Sequence, residues 1–359
     1  MTDILAVTVP FFALVFAGYL AARSGLLALD AVPGLNGFVL YFALPCMLFR
    51  FGARLPAREL FNPAVLAVYL VAALAVVGVT LALTRSQWAG RAPTSPQLGW
   101  ADAAFGALVA AFPNSGFMGV PLLVALIGPA AAGPTLSTLL VDLFVTSSLC
   151  LAIAHARHGG APAGAATGDA SPVWLTVWLR VWHRVWLRVG RSLRGALTNP
   201  QPWAIGLGAL SAATGLALPG PAEAAVAMLA NAASPVALFT IGAVLRRSGA
   251  ARRAQAGATC SAAPGGDHLA VALIKLLLHP LLVWGVGTAA RALGAELSAF
   301  QLMVLVLVAA LPSASNVSLL AERHGADTGR VARIILTSTV LAFGSFTLLA
   351  SGYGVRAAG

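Results

Sequence analysis

Charge is what this sequence has least of. Asp, Glu, Lys and Arg make up 9% of its 359 residues, where a soluble domain carries about a quarter. Lysine is almost absent, with Lys275 the single one. Cys46, Cys150 and Cys260 are scattered, without ligand spacing or obvious pairing, which excludes a disulfide framework or a zinc module. Among the acids only Asp142 falls deep in an apolar run, and Glu322-Arg323-His324 lacks zincin spacing. Acid, base and nucleophile cannot be assembled from what remains, so no enzyme, no cofactor and no metal are expected.

What the chain does have is apolar length. Hydrophobic residues reach 59% and mean hydropathy is +0.88. Ten runs of roughly 20 residues fit, each long enough to cross ~30 Å of hydrocarbon as a helix. They fall at about 4–22, 33–52, 62–84, 100–127, 133–154, 200–217, 222–245, 269–293, 299–322 and 330–352. The alternation of a membrane barrel is missing, which predicts an all-α polytopic membrane protein. The first run lacks a basic leader and reads as the first helix, not a signal peptide. The formal charge of +11 does not point to nucleic acid. With loops assigned alternately to two sides, sixteen arginines share one side, and Arg50, Arg54, Arg58, Arg291 and Arg356 share the other. The positive-inside rule then puts both termini outside a plasma (inner) membrane.

The two halves resemble one another. At an offset of 190, Pro10, Gly18, Leu20, Ala22, Gly25 and Leu26 recur as Pro200, Gly208, Leu210, Ala212, Gly215 and Leu216. PCMLFRFGA (45–53) matches PVALFTIGA (235–243), and at an offset of 199 LVAAFP (108–113) matches LVAALP (307–312). Five helices per half is an odd number, so the second half enters the membrane upside down relative to the first. Repeats over 1–154 and 200–359 are expected, joined by a cytoplasmic linker over 155–199.

AAFPNSGFMGVPLL (110–123) interrupts the fourth run, and LVAALPSASN (307–316) interrupts the ninth. Pro113 and Pro312 each remove an N–H and clash with the carbonyl four residues back. Polar groups freed at membrane depth are costly unless protein or a water-lined cavity satisfies them. Asn114, Ser115, Ser313, Ser315, Asn316 and Ser318 supply donors and acceptors there. A half-helix N-terminus carries partial positive charge and free N–H groups, so two such breaks form an anion site without a buried arginine. Candidate substrate-binding residues are therefore Pro113, Asn114, Ser115, Gly116, Pro312, Ser313, Ser315 and Asn316. Gly116 and Gly119 are expected to allow close approach of a partner helix. The alternative is a pair of ordinary proline kinks whose serines bond back to their own helices.

At these residues the sequence resembles the auxin efflux carrier family, whose plant relatives are the PIN proteins, with the bile-acid/sodium symporters as wider kin. The resemblance runs nearly end to end, through LNGFVLYFALPCMLF (35–49), NSGFMGVPLL (114–123), LTNPQPWAIGLGAL (197–210) and AALPSASNVSLLAERHGAD (309–327). It implies ten transmembrane helices as two inverted five-helix repeats, with helices four and nine broken and crossing at the midplane around the substrate. It also implies a scaffold of helices one, two, six and seven that mediates dimerisation, while the other six move in an elevator-like step. Carboxylates are the implied substrates, with malonate-like acids for bacterial members. Pro113 and Asn114 fall on the helix-four break and Pro312 on the helix-nine break. Phe112 stands where the plant motif has Asn, and Val317 where it has a second Pro. Both departures argue against plant-type auxin specificity.

Other polar residues need a reason. Asp142 is either a coupling group for protons or sodium, or a tie to a neighbour's hydroxyl. Lys275 and His279 share a helix face by their spacing of four. Lys275 either snorkels to the interface or partners Asp142 or an anion, and His279 reads as packed and hydrogen-bonded. Asn36 and Asn231 either face the cavity or cap helices. Across 173–194, Trp174, Trp178, Trp182 and Trp186 oppose Arg180, Arg184 and Arg188. That describes a helix lying on anionic headgroups, or else a regulatory helix. Residues 246–267 read as a disordered basic loop.

The expected function is a secondary transporter that exports small organic anions by alternating access. A sodium-coupled symporter of the bile-acid type is the main alternative, and a non-transporting receptor the lesser one. Expected partners are the anion, the bilayer and a second copy of the chain, with no nucleic acid.

Overall fold

The computed structural model describes residues 2–89, 99–155, 199–256 and 267–355, and among these every regular element is helical. Apart from the single turn Ala57–Leu60, they are in order α1 (Thr2–Ser24), α2 (Leu29–Arg54), α3 (Pro63–Ala89), α4 (Trp100–Ala111), α5 (Ser115–Ile127) and α6 (Pro129–Ala154). Then follow α7 (Pro200–Thr214), α8 (Gly220–Ala256), α9 (Asp267–Ala292), α10 (Ala299–Ala309), α11 (Asn316–Arg323) and α12 (Thr328–Gly352). Seven of them, α1, α2, α3, α6, α8, α9 and α12, contain stretches long and apolar enough to cross a membrane. The chain is a multi-pass membrane protein.

The Trp/Arg stretch 173–194 lies outside the described residues, as does nearly all of the linker. One expectation is corrected: α8 continues through Ala256, so residues 246–256 are helix and not disordered loop. Their Ala and Arg content favours helix and outweighs the Ser248-Gly249 pair within the stretch.

Glycines set the closest helix contacts. A methyl group on Gly18 of α1 would overlap the carbonyl of Phe239 on α8, and one on Gly242 of α8 would overlap that of Val15 on α1. Between α2 and α7, Gly208 meets the Phe49 carbonyl and Gly52 meets that of Ile205. The two sets are reciprocal, because adding 190 to Val15, Gly18, Phe49 and Gly52 gives Ile205, Gly208, Phe239 and Gly242. Gly25 and Gly215, also 190 apart, end α1 and α7 at φ 83° and 69°, a left-handed cap that glycine adopts freely. With lipid as apolar as any side chain, close backbone approach is what holds such helices together.

A second group of helices shares its own core, with Tyr69 and Ala72 of α3 against Val141 of α6, Val283 of α9 and Leu305 of α10. At one end of this group a single guanidinium gathers three helix starts. Arg330 of α12 is 4% exposed. Its Nε donates to Asp267 Oδ2 at 2.6 Å and its Nη1 to the Asp102 carbonyl at 2.6 Å. Asp327 caps α12 by accepting from the Arg330 N–H, and donates its own N–H to Asp102 Oδ1, both at 2.8 Å. Gly106 of α4 leaves the space the guanidinium fills.

Two outcomes are expected. Arg330→Met strands Asp267, and breaking a buried pair costs about 3–5 kcal/mol. The loss falls at the lower end because the Asp267 side chain is 16% exposed, and thermal unfolding of purified protein measures it. Gly242→Ala drives a methyl into backbone that cannot yield, exceeding the ~1–3 kcal/mol of ordinary overpacking. Gly78→Ala, with nothing within 4 Å, leaves folded yield unchanged on a size-exclusion column.

Candidate functional site

The helix breaks carry the polar chemistry. α4 stops at Ala111 and α5 starts at Ser115, while α10 stops at Ala309 and α11 starts at Asn316. Between these ends the two chains cross and pair as an antiparallel bridge of Pro113 with Ser313. The Asn114 N–H donates to the Pro312 carbonyl at 2.8 Å, and the Ala314 N–H donates to the Phe112 carbonyl at 3.0 Å. Separate proline kinks are therefore ruled out, since each break supplies partners that the other lost.

The remaining freed groups are satisfied from other helices. In an unbroken helix the Ser313 N–H would donate to the Ala309 carbonyl. Here Ser313 donates to Ser338 Oγ on α12 at 3.2 Å, and the Ala309 carbonyl accepts from Lys275 Nζ on α9 at 2.8 Å. On the other side, the Asn114 carbonyl accepts from Met118 and Gly119 at 3.1 and 2.9 Å, starting α5 with a π turn over Ser115–Gly119. Gly119 packs closely, since a methyl there would lie 2.7 Å from Leu311 Cδ1 and that side-chain end would have to shift. Gly116 has only ordinary contacts at 3.7 Å and beyond, so close approach does not explain it.

What stays open at the crossing suits a ligand. α5 and α11 both begin there; the N–H groups of Ser115, Val317 and Ser318 already donate to the carbonyls of Pro113, Ala314 and Ser315, while the positive end of each helix dipole still points at the crossing. Asn114, Ser115, Ser313 and Ser315 are buried. Ser313 Oγ and Asn316 Oδ1 are buried without a hydrogen-bond partner. Two positive helix ends and unpartnered polar atoms in one buried place can hold an anion.

Beside the crossing lies a buried polar cluster. Asp142, first residue of a π turn in α6, accepts from Tyr69 OH at 2.8 Å through Oδ2 and from Thr146 Oγ1 at 3.1 Å through Oδ1. The Tyr69 and His279 rings are 5.7 Å apart, and His279 Nδ1 lies 3.0 Å from Lys275 Nζ. Tyr69, Asp142, Lys275 and His279 are all 0% exposed. Snorkelling is thus wrong for Lys275, whose nitrogen turns inward to the broken end of α10. Helix capping is wrong for both asparagines as well. Asn36 is buried inside α2, and Asn231 sits mid-helix in α8, where it accepts from Arg50 Nη1 at 3.2 Å.

Sequence reasoning missed Tyr69, Ser338 and Arg330. Tyr69 is a lone hydroxyl in an apolar run, and its isolation was the one available signal, whereas Ser338 sits between Thr337 and Thr339.

A multi-pass helical bundle with paired breaks at its centre has the form of a membrane transporter. Residues 3–350 match the family model described as "Membrane transport protein", and the chain belongs to that family, the auxin efflux carriers. A Rhizobium meliloti (strain 1021) protein named "Putative malonate transporter" is 28% identical over 353 residues, covering 97% of this chain and 95% of that protein.

Lys275→Met leaves the Ala309 carbonyl without its donor, and Ser338→Ala does the same to the Ser313 N–H by removing its acceptor. Each is expected to cost about 1–3 kcal/mol, the penalty for a buried unsatisfied group. Both hold the same broken turn, so the double variant loses less than the sum of the two, by 0.5 kcal/mol or more on the scale of coupled neighbours. Unfolding of the four proteins in one detergent measures the cycle.

Proposed function

We propose that this protein is a secondary transporter of small organic anions, with short dicarboxylates of the malonate type as its preferred cargo. The observation that carries the proposal is the pairing of two broken helices, with α5 and α11 starting at one buried point. Each half-helix N-terminus takes one carboxylate. Asn114 and Asn316 donate hydrogen bonds, Pro113 and Pro312 keep the helices open, and Ser115, Gly116, Ser313 and Ser315 complete the pocket. The name of the Rhizobium meliloti relative agrees with this substrate class.

In this reading α4 with α5, and α10 with α11, are the fourth and ninth of ten transmembrane helices in two inverted repeats, 1–154 and 200–359, with the linker between. The reciprocal glycine contacts favour it, since inverted repeats exchange equivalent helices at their interface. α1, α2, α7 and α8 form the scaffold and the dimer surface. The other helices carry the substrate across in an elevator-like step, with export as the net direction. Asp142 and Lys275 couple that step to a cation gradient. Protons fit better than sodium, because Lys275 already occupies the carbonyl that a bound metal cation would use.

Labelled malonate uptake and counterflow in proteoliposomes tests the proposal. Asn114→Ala removes a hydrogen bond to a charged group, worth about 1.5–3 kcal/mol. Half-saturation should therefore rise roughly 10- to 100-fold. If no carboxylate moves, or the variant transports like wild type, the site assignment fails. Imposed pH or sodium gradients in the same vesicles decide the coupling.

A further inference from the structure

A cavity of about 370 Å³ lies away from the crossing, between the end of α2, the end of α7 and the start of α8. Its lining includes Phe49, Arg50 and Arg54 of α2, Ser211 of α7, Leu216 of the following loop and Glu223 of α8. The ends of apolar spans meet here, which places the cavity at the boundary between hydrocarbon and water. Arg50 and Arg54 are one helical turn apart and so point along the same face.

Among the described residues no carboxylate forms an ion pair with Arg50 or Arg54, and the Asn231 amide oxygen at 3.2 Å is the one hydrogen-bond acceptor that Arg50 reaches. An arginine presents five donors, so both side chains, which line the cavity, keep donors to spare. The fold does not demand the charge either. The residue 190 positions on from Arg50 is Thr240, which bonds back to its own helix at Val236.

From these observations we infer that the cavity is a binding site for the phosphate headgroup of an anionic phospholipid. Two guanidiniums a turn apart suit a phosphodiester, which takes paired N–H donors. The helix faces leading from the cavity toward the bilayer interior are apolar and open. Leu207 and Leu210 of α7 are 57% exposed, and Met228 of α8 is 74% exposed. A headgroup held by Arg50 and Arg54 lays its acyl chains along that surface. A soluble anion gains nothing from it, which is why the lipid is the favoured occupant. Glu223 at the rim leaves the cavity one net positive charge, matched to a headgroup with one negative charge.

The test is native mass spectrometry and thermal unfolding of the purified full chain, titrated with phosphatidylglycerol or phosphatidylcholine, with inorganic phosphate as the soluble probe. Wild type should retain phosphatidylglycerol preferentially and unfold at a higher temperature with it than with phosphatidylcholine. Arg54→Gln, at an exposed position that leaves folding intact, should weaken retention about fivefold. The Arg50→Gln/Arg54→Gln double variant should weaken it about thirtyfold, on the scale of one basic contact each. Arg246→Gln/Arg247→Gln, at the far end of α8, should change nothing. The inference is overturned if wild type shows no preference for the anionic lipid or if Arg54→Gln retains it fully. It is equally overturned if phosphate alone reproduces the thermal shift.

Discussion

One constraint governs this molecule: inside hydrocarbon, no backbone N–H or carbonyl can be left without a partner. A broken helix violates that rule four residues at a time. Here the violation is repaired by a second broken helix, whose own orphaned groups are complementary. Asn114 and Ala314 give N–H groups, while Pro312 and Phe112 give carbonyls. The prolines fall where a missing N–H does least harm, since the bridge asks residues 113 and 312 for no donor. Each break alone would be unstable at this depth, and only together are they permissible.

The same constraint explains a division in how the helices are joined. α1 meets α8, and α2 meets α7, through glycines pressed on carbonyl oxygens. Such contacts cannot slide without steric overlap, so they suit a part that stays fixed. The crossing is held by a few hydrogen bonds from side chains on α9 and α12. Bonds of that kind exchange partners at small net cost, because each donor needs only some acceptor. A polar ligand at the crossing can take up part of this pairing, and an apolar one cannot.

The breaks were legible in the sequence because proline has one physical meaning in a helix, and the 190-residue offset that relates the close-contact glycines was legible because prolines and glycines recurred in order. Why Gly18 and Gly242 must be glycine was not legible, since the carbonyls they meet belong to residues more than 200 positions away. Tyr69 was invisible for a related reason: a single polar letter in an apolar run does not say which helix it faces. Lys275 was misread on distance. Six residues from a basic loop suggested an easy route to water, but α9 begins at Asp267. That leaves Lys275 eight residues, roughly 12 Å, along the helix. At that depth the nearer relief is the unpaired carbonyl of Ala309, and the side chain takes it.

That choice connects two features which otherwise look independent. Asp142 and Lys275 make no direct ion pair, yet Tyr69 and His279 stand between them as a short path of hydrogen bonds and one tilted ring contact. Lys275 in turn fixes the last carbonyl of α10, and Ser338 fixes the N–H that carbonyl lost. A change in what Lys275 bonds is therefore felt at the crossing as an unpaired backbone group. Communication between the Asp142–Lys275 cluster and the crossing needs no long-range strain in such an arrangement. It follows from the same requirement that made the two breaks find each other, because a partner withdrawn at Ala309 has to be replaced from somewhere nearby.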